Sequence, residues 1–195
     1  MSALTDALDR ILRWLQQHSP NAVSGFAPGL PLVEIEAKLS QLPFRVSQEV
    51  YELYQWRNGN PYDGAFVYHR LLDLEGALEY AAVINESYWL EVREQDGTPQ
   101  YLFPVLGFDG EYFAIPGGDV SSPHAPVFHI GCDDGSLSLA FTSLANMMLA
   151  IAECYEAGVY ANLNGCLEVV NTIRFGEIRR QYNPGTVGAL YVGGW

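Results

Sequence analysis

Positive charge is what this 195-residue chain has least of. Ten Lys and Arg stand against 23 Asp and Glu, for a net charge of −13 and a pI of about 4.5. A nucleic-acid binder needs a basic face for the phosphates, so no nucleic-acid partner is expected. Cysteine is sparse as well. Cys132, Cys154 and Cys166 are odd in number and lack C-x-x-C spacing, which points to thiols in a reducing compartment rather than to a disulfide framework. No apolar run has the length needed to cross a bilayer, and the opening Met-Ser-Ala-Leu-Thr-Asp lacks the basic n-region of a signal peptide. A cytoplasmic protein with no membrane partner is therefore expected. Only 17% of residues are charged, yet 49% are hydrophobic and 13% aromatic, a composition that excludes a disordered chain. The length suits one domain, or one domain with an extension.

What is present is organised around Leu42 to Gly59. Pro43 stops the preceding element, because its ring fixes φ and supplies no N–H. Ser47 is placed to cap a new helix. Val46, Val50, Leu53 and Tyr54 recur at helical spacing, while Tyr51 and Trp56 widen the apolar stripe, so the helix should be buried. Asn58-Gly59 supplies a residue able to close a helix in the left-handed conformation.

Leu42-Pro43, an aromatic helix and then Asn58-Gly59 resemble the signature of the SUKH superfamily, which includes fungal Smi/Knr-type cell-wall regulators and many bacterial immunity proteins. The resemblance spans residues 30–160. It implies a non-enzymatic, protein-binding domain, and in bacteria one that neutralises a toxin domain by occlusion.

Elsewhere, Leu4, Ala7, Leu8, Ile11, Leu12 and Leu15 form the stripe of a first helix capped by Ser2. Residues 19–31 are rich in Pro, Gly and Ser and read as loop. Pro31 opens a second helix with a face of Leu32, Ile35 and Leu39, interrupted by Glu36. A strand is expected over 65–71 and a helix from Leu74 to about Val92. Tyr101–Phe108 and Glu111–Ile115 flank Asp109-Gly110, the chemistry of a type I′ hairpin. Val127–Cys132 and Ser136–Ala140 flank Asp133-Asp134-Gly135 in the same way, after a long, flexible Pro116–Pro126 connector. Leu144–Gly158 is a further helix. Residues 161–195 hold three Arg against two Glu, a net of +1, so residues 1–160 carry −14. Leu167, Val170, Ile173 and Ile178 predict a docked helix there, followed by a loose Gly-rich end.

The most enzyme-like cluster is His124, His129, Cys132, Asp133 and Asp134, which has zinc-capable chemistry but no standard zinc spacing. A metal-dependent enzyme or small hydrolase built on it is one alternative. Turn formation and scaffold are its plainer uses. No Gly-x-Ser-x-Gly elbow or phosphate-binding loop occurs, so no catalytic residue, metal or cofactor is assigned. Binding chemistry is better represented. Tyr54, Trp56, Arg57, Asn58, Tyr62, Tyr68 and His69 gather at the end of the central helix and in the next loop, and Trp, Tyr and Arg dominate protein–protein hot spots. Core packing is the competing use of each ring. Acidic loops at Glu91–Asp96, Asp109–Glu111 and Asp133–Asp134 form a second candidate surface.

The expected fold is α+β: a single domain with a mainly antiparallel twisted sheet, helices packed on one side of it, and a C-terminal helical extension. The segments are an N-terminal helix and loop (1–29), the SUKH-like domain (30–160) and the extension (161–195). The expected partner is a protein. A basic toxin domain suits the acidity, and a regulatory partner in a scaffold is the alternative.

Overall fold

The computed structural model describes residues 2–61, 65–66, 68–88, 99–132, 136–163 and 166–186. Helix α1 (Ala3–His18) begins where the Ser2 hydroxyl accepts the Thr5 N–H at 3.1 Å. Its Leu4, Ala7, Leu8, Ile11 and Leu15 are buried. The stretch expected to be loop contains a short helical turn, α2 (Pro20–Val23), with Pro20 in the first-turn position that needs no N–H. Helix α3 (Leu32–Leu39) follows with Pro31 as its N-cap residue. Its core face is narrower than expected: Ile35 and Leu39 are buried, whereas Leu32 and Glu36 are exposed.

Helix α4 (Gln48–Trp56) buries Val50, Leu53, Tyr54 and Trp56, and Val46 just before it is also enclosed. Both of its ends differ from expectation. Ser47 is the N-cap residue, but its hydroxyl makes no cap bond and is buried without a partner. At the other end, Arg57 leaves the helix in extended conformation, φ −151° and ψ 144°, before Gly59 is reached. An earlier loop provides the closure. Leu30 N–H donates to Tyr54 O at 2.9 Å, and Asn58 N–H donates to Ala27 O at 3.2 Å. The approach is so close that a Cβ on Gly29 would lie 1.8 Å from the Gln55 carbonyl oxygen.

Five strands form an antiparallel meander in chain order: β1 (Arg70–Leu71), β2 (Tyr101–Phe108), β3 (Glu111–Gly117), β4 (Val127–Ile130) and β5 (Leu137–Phe141). The strand expected over 65–71 shrinks to Arg70–Leu71. Phe66 and His69 exchange backbone hydrogen bonds of 3.3 Å, and Val67 lies outside the described residues. Asp109 (φ 44°) and Gly110 (φ 86°) supply the two positive φ values that the β2–β3 turn requires. In β2 the register slips at Val105, next to Pro104, which has no N–H for the ladder. The Val105 carbonyl accepts from Leu72 N–H at 3.1 Å.

Helix α5 (Leu74–Val83) is capped by Asp73 and passes into a π-helical turn, Ile84–Tyr88. The rest of the helix expected to reach Val92 lies outside the described residues. Asn85 of that turn accepts from Leu102 N–H and donates to Leu102 O. Ile84 packs with Leu102, Ala114 and Ile130 in a small cluster separate from the main core. Because Leu102 and Ala114 alternate with Phe103 and Ile115, that cluster covers the second face of the sheet. Helical structure therefore lies on both faces rather than one.

Helix α6 (Leu144–Glu156) is capped by Ser143, which accepts Asn146 N–H at 3.0 Å. Glu49 reaches its N-terminus although only 3% exposed, accepting Ala145 N–H at 2.9 Å and the Leu144 and Ala125 N–H groups at 3.4 Å. The connector before β4 is pinned as well. Arg45 and Gly118 exchange two backbone bonds, Ser121 donates to Val46 O, and Gln48 N–H donates to Ser122 O.

The C-terminal segment corrects the expected continuous helix. It is a hairpin, β6 (Tyr160–Leu163) with β7 (Cys166–Val169), followed by helix α7 (Thr172–Tyr182). Leu167 is buried from the hairpin and Ile178 from the helix, while Val170 and Ile173 are exposed. Asn183, just past α7, accepts the Thr142 N–H at 2.9 Å and so ties the segment to the entry of α6. One apolar cluster runs from α1 through Tyr54 and Phe103 to Tyr155, Leu167 and Ile178, so both terminal segments share the interior of the domain.

Candidate functional site

The turn after α4 is built as a clamp. Gly59 holds φ +87°, and a Cβ there would stand 2.7 Å from Asp73 N. The adjacent Asn58 carbonyl oxygen (Oδ1) accepts Leu74 N–H at 2.9 Å, and Asp73 accepts Gly76 N–H at 2.8 Å, so two side chains satisfy the first turn of α5. Asn60 donates to Ala22 O at 2.8 Å and its N–H to Leu71 O at 2.9 Å. Between these elements lies an open groove of about 520 Å³, walled by Asn58–Pro61, Arg70–Asp73, Glu79 and Tyr80 among others.

Tyr80 also lines a second depression of about 170 Å³, which reaches Val83, Tyr112, the Gly110 hairpin turn and Cys132. The Tyr80 and Tyr112 rings lie 5.2 Å apart, and burial followed by the neighbouring Tyr80 hydroxyl pushes the Tyr112 pKa up. Glu79 and Asp109 are exposed, and Val83 is 58% exposed. Half-buried Tyr80 thus lines both depressions, with exposed Glu79 on the wall of the first and half-buried Tyr112 and exposed Val83 in the second.

The residues singled out from sequence divide between core and surface. Tyr54 is fully buried in the core, its hydroxyl without a partner and its pKa driven far up by burial. Trp56 is 9% exposed, its indole N–H donating to Asp9 at 2.9 Å and its ring meeting Phe26 edge-on. Both rings serve packing. His69 is buried between Phe108 and Phe113, and burial, with nearby His129 second, lowers its pKa to about 3. Arg57 is half-buried, folded over the Trp56 ring at 5.3 Å and donating to Trp56 O. Tyr68 is half-buried beside Phe108. Of the predicted residues, Asn58 lines the groove, and Asp109 is exposed in the turn beside Gly110, which lines the second depression. Tyr62, Asp133, Asp134 and the Glu91–Asp96 loop lie outside the described residues.

Glu111 points inward, its Oε2 3.6 Å from His129 Nε2 and its Oε1 4.0 Å from Cys132 Sγ. His124 is separate and exposed, with its Nδ1 3.2 Å from Glu49. The predicted His124–Asp134 cluster is therefore divided between two places in the fold. Among the described residues no three His, Cys, Asp or Glu side chains stand close enough to hold a metal ion. The Cys154 thiol is buried, and burial raises its pKa to about 12, the opposite of an activated nucleophile.

The Tyr80–Tyr112 junction carried no sequence signal of its own. The two residues are 32 positions apart, and only strand register and the placement of α5 bring them together. No protein-family model matches the chain, and no curated protein is significantly similar to it.

Proposed function

We propose that this chain is a non-enzymatic protein-binding module whose docking surface is the Tyr80–Tyr112 junction with its two flanking depressions. The single observation that carries the reading is that pair of half-buried rings, 5.2 Å apart; exposed Glu79 precedes Tyr80 in α5, and exposed Asp109 stands in the β2–β3 turn. Tyrosine gives large contact area at small entropic cost, and a rim of charge governs the rate of encounter. The charge of −14 on residues 1–160 favours a basic partner. With the resemblance of Leu42-Pro43 and Asn58-Gly59 to SUKH domains, the role is that of an immunity protein occluding a basic toxin domain.

The test is affinity capture from the native lysate at low salt, run in parallel with Tyr80→Ala and with Glu79→Lys/Asp109→Lys. A basic protein is expected on the wild-type chain and should be lost from both variants. Glu34→Lys, on exposed α3, is the control and should retain it. A partner held equally by all four proteins would overturn the assignment of this face. Capture that is strongest at high salt would overturn the electrostatic part of the reading.

A further inference from the structure

Between the C-terminal segment and the main sheet lies a second kind of site. A partly open cavity of about 40 Å³ is lined by Phe66, Tyr68, His69 and the strands β2, β3 and β5 on one side and by α6, β6 and α7 on the other. Its wall is mostly apolar, with Phe113, Phe141, Met147, Tyr160 and Phe175. The exceptions are His69 and, from α7, Arg179, which is only 6% exposed.

That guanidinium is poorly compensated. Its Nη2 donates to Ala140 O at 3.1 Å and to Thr186 Oγ1 at 3.2 Å, and its plane rests 5.8 Å from the Phe141 ring centroid. Its Nε–H is buried without an acceptor. No carboxylate among the described residues pairs with it, since the C-terminal ion pairs belong to Arg174. The charged neighbour it does feel is Arg180, of like sign. An arginine does not give up its proton in a protein, and a buried charge without an opposite charge is destabilising. The five N–H donors of a guanidinium match a planar carboxylate better than any neutral ligand.

We propose that this cavity is a binding site for a short monocarboxylate, whose carboxyl group meets Arg179 and whose alkyl end packs on the aromatic wall. One water needs roughly 10–15 Å³ of such space, so the volume admits about three water-sized positions, which suits a short acid such as acetate or propionate. Burial, with His129 second, holds His69, which also lines the cavity, uncharged at neutral pH, leaving Arg179 as the cationic group of the wall. The site is independent of the docking surface, so either proposal can fail without the other.

The experiment titrates sodium propionate into the intact protein at constant ionic strength made up with sodium chloride. Binding is read by calorimetry and by saturation transfer from protein methyl groups to the ligand. Saturable binding and transfer to the propionate methyl are expected. Arg179→Met should bind about tenfold more weakly or worse, having lost a charge-assisted hydrogen bond. The same variant should melt no lower than wild type without ligand, because it removes an unpaired buried charge. Arg179→Lys keeps the charge without the planar fork and should fall between the two. The proposal is overturned if wild type shows no saturable binding, if Arg179→Met binds as well, or if chloride competes as effectively as acetate. The last outcome would mean an unselective anion cavity.

Discussion

Replacing Glu49 perturbs the joint between α4, the pinned connector and α6. The carboxylate is 3% exposed and accepts three backbone N–H groups, the best of them Ala145 at 2.9 Å. Leu144 and Ala145 are the first residues of a 13-residue helix, so the negative charge also sits at the positive end of its dipole. A hydrogen bond to a charged group contributes about 1.5–3 kcal/mol, and each donor left buried without an acceptor costs about 1–3 kcal/mol. The two 3.4 Å contacts count for little by comparison, which places Glu49→Ala at a loss of about 3–5 kcal/mol. Glu49→Gln keeps the volume and one acceptor oxygen but turns an NH₂ group toward other donors, for a loss of about 1.5–3 kcal/mol. In a chain of this length each kcal/mol moves Tm by roughly 2–4 °C, so the alanine variant should melt roughly 6–20 °C lower. Urea unfolding followed by both tryptophan fluorescence and far-UV circular dichroism gives the free energies, and an unchanged m-value confirms that the same transition is compared. If Glu49→Gln matches wild type within about 0.5 kcal/mol, the carboxylate is not the cap of α6 and the reasoning fails.

Two capping serines should behave oppositely in the same assay. Ser143→Ala should cost about 1 kcal/mol because its hydroxyl accepts Asn146 N–H, whereas Ser47→Ala should be neutral or stabilising because its buried hydroxyl has no partner. His69 makes stability depend on pH. The unfolded chain takes up this proton near pH 6.5 and the folded chain resists it to about pH 3, so stability is complete above pH 6.5 and falls as pH drops through that window. The slope it adds is at most about 1.4 kcal/mol per pH unit, and His69→Gln should remove it from a series of melts between pH 3 and 7. Gly117→Ala places a Cβ 2.1 Å from the Phe44 ring, which is itself stacked on Tyr101. Forcing that ring aside should cost about 1–3 kcal/mol, measured as a lower urea midpoint.

The features legible in the sequence were those whose cause is local. Asp109-Gly110 must adopt positive φ to close a two-residue hairpin, so four of the five sheet strands followed from turn chemistry and alternation. Ser2 caps its helix because its hydroxyl reaches an N–H three residues on. Where spacing was ambiguous the reading failed. Leu167, Val170 and Ile173 step by three like a helix face, but the strand pairing of Tyr160 with Val169 makes the first part a hairpin. Glu49 carried the opposite difficulty. An acid in the first turn of a helix reads as solvent-facing, and only the meeting of α4 with α6, nearly a hundred residues apart, shows it buried. Arg179 was equally silent, one of three arginines in a short stretch, distinguished from Arg174 and Arg180 by burial alone. At the aromatic cluster, residue type marked the right neighbourhood but not the direction each ring takes. Tyr54 and Trp56 turn inward, and the exposed surface passes to Tyr80.

Helix α1 has its principal partner, α6, more than a hundred residues further along the chain. Its stripe from Leu4 to Leu15 is enclosed against α6 and, less extensively, against α4. A ribosome finishes α1 roughly 140 residues before it finishes α6, an interval of roughly 7–28 s at about 5–20 residues per second. Throughout that time an amphipathic helix with five core residues has only part of its eventual cover. On the nascent chain, α1 is therefore a segment with need of a temporary companion until α6 is made.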